Sequence, residues 1–131
     1  MSSNPTFDRH AAELGDVTGL RVEVHQEGNR LYAVARGYAL PDGIAQIVAT
    51  DVLFMADTQY PISAMDMFWT DLDVVRVDGS TFKNSDSIEQ HLGRPWRRFS
   101  YHRNGTWNSG GNPLLHHYAF MESRWTVETP Q

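Results

Sequence analysis

The residue types that could carry out chemistry are unevenly represented in this chain of 131 residues. Cysteine is absent, which excludes disulfides, thiolate metal sites and a cysteine nucleophile. Lysine occurs once, at Lys83, and this leaves little room for covalent chemistry on lysine amines. Serine hydroxyls and six histidines remain, so acyl transfer to a serine hydroxyl with a histidine as base is one nucleophilic chemistry that stays open.

The histidines do not have the spacing of a metal site. His116 and His117 are adjacent and would point about 100° apart on a helix. No His-x3-His pair occurs, and cysteine ligands are absent. His102 could meet His91 or His116 only if the fold brought them together. We therefore expect no metal ion, and since there is also no Gly-rich phosphate loop, no cofactor.

Charge is concentrated in one segment. The net charge is −5 and the pI about 5.6, which disfavours a nucleic-acid partner. Arg94, Arg97, Arg98 and Arg103 nevertheless lie within ten residues that contain no acid, so the remaining chain carries 7 basic against 16 acidic groups. This pattern fits a specific acidic partner or local ion pairs. No apolar run could span a membrane and no secretory signal is visible, so we expect a cytoplasmic protein with no membrane partner.

The elements that must position these residues can be read from the hydrophobic pattern. Asn4-Pro5 is a helix start, and Gly15 indicates an end, which predicts a helix over about 5–14. Turn residues then separate stretches of apolar residues that predict four antiparallel strands in a meander. The strands are expected around 20–24, 30–37, 47–55 and 67–69. Ser85 could cap one helical turn that continues through Leu92 and ends at Gly93.

The last predicted element is a helix that begins at Asn112-Pro113. Its apolar residues recur at spacings of four, three and four, at Leu114, Tyr118, Met121 and Trp125. The tail over 126–131 is expected to be frayed. The order of elements predicts a single α+β domain over 1–131, with its core over about 20–125 and the C-terminal helix packed on one side of the sheet.

Two short motifs occur in the order found in ubiquitin-conjugating enzymes. Tyr60-Pro61 follows the third predicted strand, and Met67-Phe68-Trp69 forms the fourth. Trp107-Asn108-Ser109 then precedes the last helix. This order resembles the ubiquitin-conjugating-enzyme (UBC-like) fold. In that family a Tyr-Pro step joins strands three and four, and a Trp-Ser-Pro segment leads into the second helix.

A third motif resembles the signature of a bacterial branch of the UBC-like superfamily, Trp-x-Arg-(Trp or Phe)-Ser-x-His. This chain reads Trp96-Arg97-Arg98-Phe99-Ser100-Tyr101-His102. Leu40-Pro41-Asp42-Gly43 also looks like the Leu-Pro-x-Gly step of that branch. The resemblance implies partners: an adenylating activating enzyme, a ubiquitin-like protein, and in many such systems a metallopeptidase that removes the modifier. Several of these systems serve defence against phage.

The segment that would hold the catalytic cysteine of the family departs from its pattern. Counted from Tyr60-Pro61, the resemblance places that cysteine near Asn84 or Ser85. The chain instead reads Phe82-Lys83-Asn84-Ser85-Asp86-Ser87. Thioester chemistry is therefore impossible, and the chain is similar to a member of the superfamily without a catalytic cysteine.

One hypothesis keeps the carrier role and changes the nucleophile. Ser85 or Ser87 would accept the acyl group as an oxyester, provided that a base takes the hydroxyl proton. His91 or His102 could be that base, and Asp86 could orient it. In the structural alternative, the first serine is a helix cap and the second is solvated.

The other hypothesis, which we favour, is an adaptor that binds the activating enzyme, the ubiquitin-like protein or both without a covalent step. Arg97, Arg98 and Arg103 are then the best candidates for contact with an acidic partner. A structural bond from Arg98 to a carboxylate or a backbone carbonyl is the competing interpretation. Trp96 and Phe99 are expected to anchor the segment in the core.

Overall fold

A computed structural model describes residues 1–101 and 107–128, with side chains as far as Trp125. Its elements in chain order are α1 (Pro5–Thr18), β1 (Arg21–Glu27), β2 (Arg30–Ala39), β3 (Ala49–Asp57), β4 (Phe68–Thr70), β5 (Ser87–His91), β6 (Arg94–Phe99) and α2 (Pro113–Glu128). The strands form one antiparallel sheet in the order β1-β2-β3-β4-β6-β5. The prediction of an α+β fold is confirmed. None of the helices in these residues is long and apolar enough to cross a membrane.

The sheet has six strands, so the prediction of a four-stranded meander is wrong. The segment taken for a helical turn is β5, which forms a hairpin with β6 and pairs His91 with Arg94. Leu92 and Gly93 close this hairpin with φ angles of 53° and 76°. A helix C-terminus and a two-residue hairpin both require positive φ, so Gly93 alone does not distinguish them.

The first helix is four residues longer than predicted. Gly15 lies inside it, where a Cβ atom would stand 3.2 Å from the carbonyl oxygen of Leu20. This glycine therefore permits close packing of α1 against the chain that enters β1, and it does not end the helix. The end is at Gly19, which has a φ of 76° and donates its N–H to the Gly15 carbonyl at 2.8 Å.

Both helices begin at the asparagine caps that the sequence predicts. The Asn4 side chain accepts a hydrogen bond from the Phe7 amide at 3.0 Å, and the Asn112 side chain accepts one from the Leu115 amide at 3.0 Å. The far end of α2 differs from the prediction, because the tail expected to fray from residue 126 is helical to Glu128. Residues 129–131 lie outside the described part of the chain.

The two helices pack against the same face of the sheet. The core between them and the sheet combines Phe7 and Leu14 of α1 with Met121 and Trp125 of α2. Side chains at alternate positions of β2, β3, β4 and β6 complete it. The helices are therefore segregated to one side, as the order of elements predicts.

The opposite face of the sheet, here called the outer face, has a smaller apolar cluster. The cluster consists of Tyr32, Val34, Leu53, Trp69 and Trp96, all at most 3% exposed. Charged side chains lie on the same face, and they form ion pairs across the strands: Arg36 with Glu23 at 2.8 Å and with Asp51 at 2.9 Å, and Arg94 with Asp71 at 2.8 Å. Since the Arg94 guanidinium also stacks 3.8 Å from the Trp96 ring, these side chains shield the cluster from water.

A buried hydroxyl connects α1 to the start of α2. The Tyr60 hydroxyl accepts the Leu114 amide at 3.1 Å and forms a hydrogen bond with Nδ1 of His10 at 2.7 Å. Burial lowers the pKa of His10, an effect to which Arg9 adds and which Glu13 opposes. The buried imidazole is therefore harder to protonate in the folded chain than in the unfolded chain.

We expect acid to destabilise the fold through His10. The unfolded chain takes up the proton near pH 6.5 while the folded chain resists it. The stabilising contribution is complete above pH 6.5 and decreases as the pH falls below that value, by at most about 1.4 kcal/mol per pH unit. Urea unfolding from pH 7.5 to 5.0 measures this slope. His10→Gln should have a smaller slope, and an equal slope in both proteins would contradict the assignment.

Candidate functional site

Residues 82–85 form a tight turn, here called the 82–85 turn, in the segment where the resemblance places the family's nucleophile. Phe82 and Ser85 are buried, at 1% and 0% exposure, whereas Lys83 and Asn84 are exposed. Asn84 has a φ of 62°, and asparagine is among the few residues that tolerate this conformation. The turn therefore presents two side chains to solvent between two that anchor it.

Ser85 is buried, and its hydroxyl is hydrogen-bonded within the turn. Its hydroxyl donates a hydrogen bond to the Phe82 carbonyl at 2.7 Å, and its amide donates to the same oxygen at 3.2 Å. A serine nucleophile must be reached by the acyl donor and must pass its proton to a base. Ser85 is neither a helix cap nor solvent-accessible, and its hydroxyl closes the turn.

Residues 97–101 of the signature segment hold this turn through its main-chain carbonyls. The Tyr101 hydroxyl donates to the Lys83 carbonyl at 3.3 Å, and the Ser100 amide donates to the Asn84 carbonyl at 2.9 Å. Arg97 Nη1 donates to the Ser85 carbonyl at 2.6 Å. All four carbonyls from residue 82 to residue 85 therefore accept hydrogen bonds.

The arginines predicted to meet a partner have structural bonds of their own. Besides its bond to the 82–85 turn, Arg97 donates through Nε to the Leu72 carbonyl at 2.9 Å. Arg98 Nη1 is 2.6 Å from Glu89 Oε2, which is the carboxylate bond expected as the alternative to partner contact. Both side chains are partly exposed. Arg103 and His102 lie outside the described residues.

Ser87 and His91 lie at opposite ends of β5. Four residue steps along the strand place them about 13 Å apart, which is too far for a hydrogen bond. His91 donates from Nε2 to Glu89 at 3.0 Å, because a carboxylate can only accept, and its Nδ1 forms a hydrogen bond with the Tyr32 hydroxyl at 3.1 Å. The structure therefore does not bring His91 to Ser87. Asp86 is exposed beside it.

Glu89 is the centre of a hydrogen-bond cluster on the outer face that the sequence analysis missed. Its Oε1 also accepts the Trp69 indole N–H at 3.0 Å, in addition to His91, and its Oε2 accepts Arg98. Burial would raise the pKa of Glu89, but these hydrogen bonds and the arginine charge outweigh it and lower the pKa. The alternation of Ser87, Glu89 and His91 is the sequence signal that would have indicated a strand here.

Comparison with protein families returns a match that covers most of the chain. The profile described as prokaryotic E2 family E matches residues 8–128. The chain belongs to this family. Comparison with the curated proteins and with the solved structures returns no match. Family membership indicates a role in a bacterial ubiquitin-like conjugation pathway, and the fold is compatible with the UBC-like fold.

In this E2 family E member the motif residues are mainly structural. Trp96 and Phe99 are buried, as expected of core anchors, and the Trp96 indole donates to the His91 carbonyl at 2.9 Å. The Trp107 indole donates to the Pro61 carbonyl at 2.8 Å, which joins the Tyr60-Pro61 step to the segment before α2. The part of the chain that is described holds no group of three His, Asp or Glu side chains arranged for a metal ion.

Proposed function

We propose that this E2 family E member is a cysteine-free adaptor that binds the adenylating activating enzyme, the ubiquitin-like protein or both. The observation that carries the proposal is the state of the nucleophile position: the chain has no cysteine, and the Ser85 hydroxyl is buried and bonded to the Phe82 carbonyl. A chain of this family without a cysteine or an accessible serine hydroxyl at that position can still act through recognition of its partners.

The basic segment is the surface on which we place this recognition. Arg97 is partly exposed, and its guanidinium is fixed by two main-chain carbonyls, so little side-chain entropy remains to be lost on binding. Arg98 is held by Glu89 in the same way. Together with Arg103, these are the basic residues that we expect to attract a partner of opposite charge, because the ten-residue segment contains no acid. A deconjugating metallopeptidase is a further candidate partner in the same pathway.

We expect Arg103→Glu to weaken partner binding about tenfold, which corresponds to about 1.4 kcal/mol. The activating enzyme and the ubiquitin-like protein of the same genome, each purified, would be titrated with the full chain by calorimetry at two salt concentrations. Arg103 is chosen because reversal at Arg97 would also remove the bonds that hold the 82–85 turn. Arg9→Glu is the matched control, since Arg9 is an exposed arginine on α1.

The outcomes of this titration test both the interface and the adaptor role. Loss of binding with Arg103→Glu but not with Arg9→Glu supports the basic segment as the interface. Unchanged binding would contradict the interface, and absence of binding by the unmodified chain would contradict the adaptor role.

The alternative function is an acyl carrier that uses a serine oxyester. Of the two candidate serines, Ser85 and Ser87, the second has the accessible hydroxyl. Ser87 is partly exposed, with its Oγ 3.5 Å from Arg98 Nη2. An adaptor should keep its function in Ser85→Ala and Ser87→Ala, whereas a carrier should lose transfer in one of them while partner binding persists.

A further inference from the structure

The chain carries its positive charge almost entirely on arginine. Of 11 basic residues, ten are arginine and one is lysine. A lysine amine becomes a nucleophile when it loses its proton, whereas a guanidinium stays protonated and does not attack acyl groups at neutral pH. Apart from the N-terminal amine, Lys83 is therefore the only position at which this chain could form an amide with an activated carboxyl group.

The structure places this lysine at an exposed position of the 82–85 turn. Lys83 follows the buried Phe82, and Phe82 packs against the ring of Trp125 with centroids 5.7 Å apart and lies under the Arg76 guanidinium at 4.9 Å. Two positions after Lys83, the buried Ser85 fixes the other end of the turn. The exposed amine therefore extends from a backbone that is anchored on both sides.

The bonds to this turn come from the signature segment of the family. Arg97, Ser100 and Tyr101 donate to three successive carbonyls, beginning with that of Lys83 itself. The turn is thus held by the segment to which we assign partner recognition. A partner bound at the basic segment would come close to the 82–85 turn.

We propose that Lys83 is an acceptor site for the ubiquitin-like modifier of the pathway, joined to it by an isopeptide bond. The inference rests on the proposed function in one respect, since the chain must bind the enzyme that holds the activated modifier. The donor is the acyl adenylate of the modifier. The Lys83 nitrogen attacks the acyl carbon and the C–N bond forms. The C–O bond to the phosphate breaks, AMP leaves with the electron pair, and the amine proton passes to solvent.

The test uses intact-mass spectrometry of the full chain. The chain would be incubated with the ubiquitin-like protein and the activating enzyme of the same genome and ATP, and the product divided between reductant and mild hydroxide. We expect an adduct of the modifier mass less one water that survives both treatments. Lys83→Arg should reduce it at least tenfold, and Ser123→Ala, at an exposed serine of α2, should leave it unchanged.

A lysine introduced elsewhere on the surface tests whether the adduct requires an amine in the 82–85 turn or only an exposed amine. Arg9 is 64% exposed on α1, so Arg9→Lys adds an accessible amine away from the turn. In the Lys83→Arg background this second change should not restore the adduct. Restoration would show that any exposed lysine suffices and would overturn the role of the turn.

The remaining outcomes contradict the inference in distinguishable ways. A hydroxide-labile adduct would identify a serine ester, and an adduct that persists in Lys83→Arg and maps to Met1 would identify the N-terminal amine. If no adduct forms while the partners bind in calorimetry, the acceptor role fails and the adaptor role stands. If the partners do not bind at all, both proposals fail.

Discussion

Phe99→Ala is expected to lower the free energy of unfolding by about 3–5 kcal/mol, the usual cost of removing a buried aromatic ring. Phe99 is 0% exposed and stacks on Phe68 with ring centroids 4.9 Å apart. It also meets the edge of Trp125 at 5.3 Å and the ring of Phe82 at 6.3 Å. These partners come from β4, α2 and the 82–85 turn, so no single element can move to fill the cavity.

The measurement is urea unfolding followed by tryptophan fluorescence and circular dichroism. An unchanged m-value would show that the variant has lost stability without a change in the surface exposed on unfolding. Phe120→Ala on α2 is the control, because Phe120 is only partly buried and should cost less. A cost below about 1 kcal/mol for Phe99→Ala would contradict the packing described for this residue.

The helix starts and the two faces of the central strands could be predicted because their signals are local. Asn4 and Asn112 each precede a proline, and each cap bonds within three residues of itself. The strand around residues 49–57 is apolar on both sides because the sheet is packed on both faces. In these regions the local residue pattern agrees with the environment of each residue in the folded chain.

The hairpin of β5 and β6 could not be predicted in the same way, because Gly93 fits the end of a helix as well as a hairpin turn. Leu92 occupies the position before Gly93 with a φ of 53°, where asparagine or aspartate would have indicated a hairpin turn. Its side chain packs beside the outer-face cluster instead. Because leucine is not typical of a hairpin turn, the residue type at this position does not indicate the turn.

The role of the signature segment was beyond prediction for a different reason. Its hydrogen bonds from Arg97, Ser100 and Tyr101 go to main-chain carbonyls, and every residue has a carbonyl. No residue type in the 82–85 turn marks it as their target. The burial of Ser85 follows from these tertiary bonds, so the serine that the resemblance indicated as a nucleophile has its hydroxyl committed to the Phe82 carbonyl.

Glu89→Ala is the second substitution with a large expected effect, because one carboxylate serves three donors. The Trp69 indole and the His91 ring are 3% and 6% exposed, and without Glu89 each loses its carboxylate acceptor. Arg98 would keep its charge at 30% side-chain exposure without the paired carboxylate. Since Glu89 is itself about a third exposed, solvent reduces the cost, and we expect about 2–3 kcal/mol.

Glu89→Gln tests how much of this loss of stability comes from the negative charge of Glu89. The amide keeps one oxygen acceptor but loses the second acceptor and the negative charge, so we expect an intermediate loss of stability. Glu27→Ala on β1 is the control, since an exposed carboxylate should change stability by no more than about 0.5 kcal/mol. Equal stability of the Glu89→Ala and Glu27→Ala variants would contradict the cluster.

The pH dependence gives an independent check of the same carboxylate. Because the hydrogen bonds lower the pKa of Glu89 below its ordinary value of 4.5, the folded chain binds this proton less readily than the unfolded chain. Its contribution is therefore complete above pH 4.5 and is lost as the pH falls through the lowered pKa of the folded state. The stability difference between the unmodified chain and Glu89→Ala should be constant from pH 7 to 5 and should shrink below pH 4.5. A difference that persists unchanged at pH 3 would mean that the protonated acid satisfies the same donors, and that the charge on Glu89 contributes nothing to the fold.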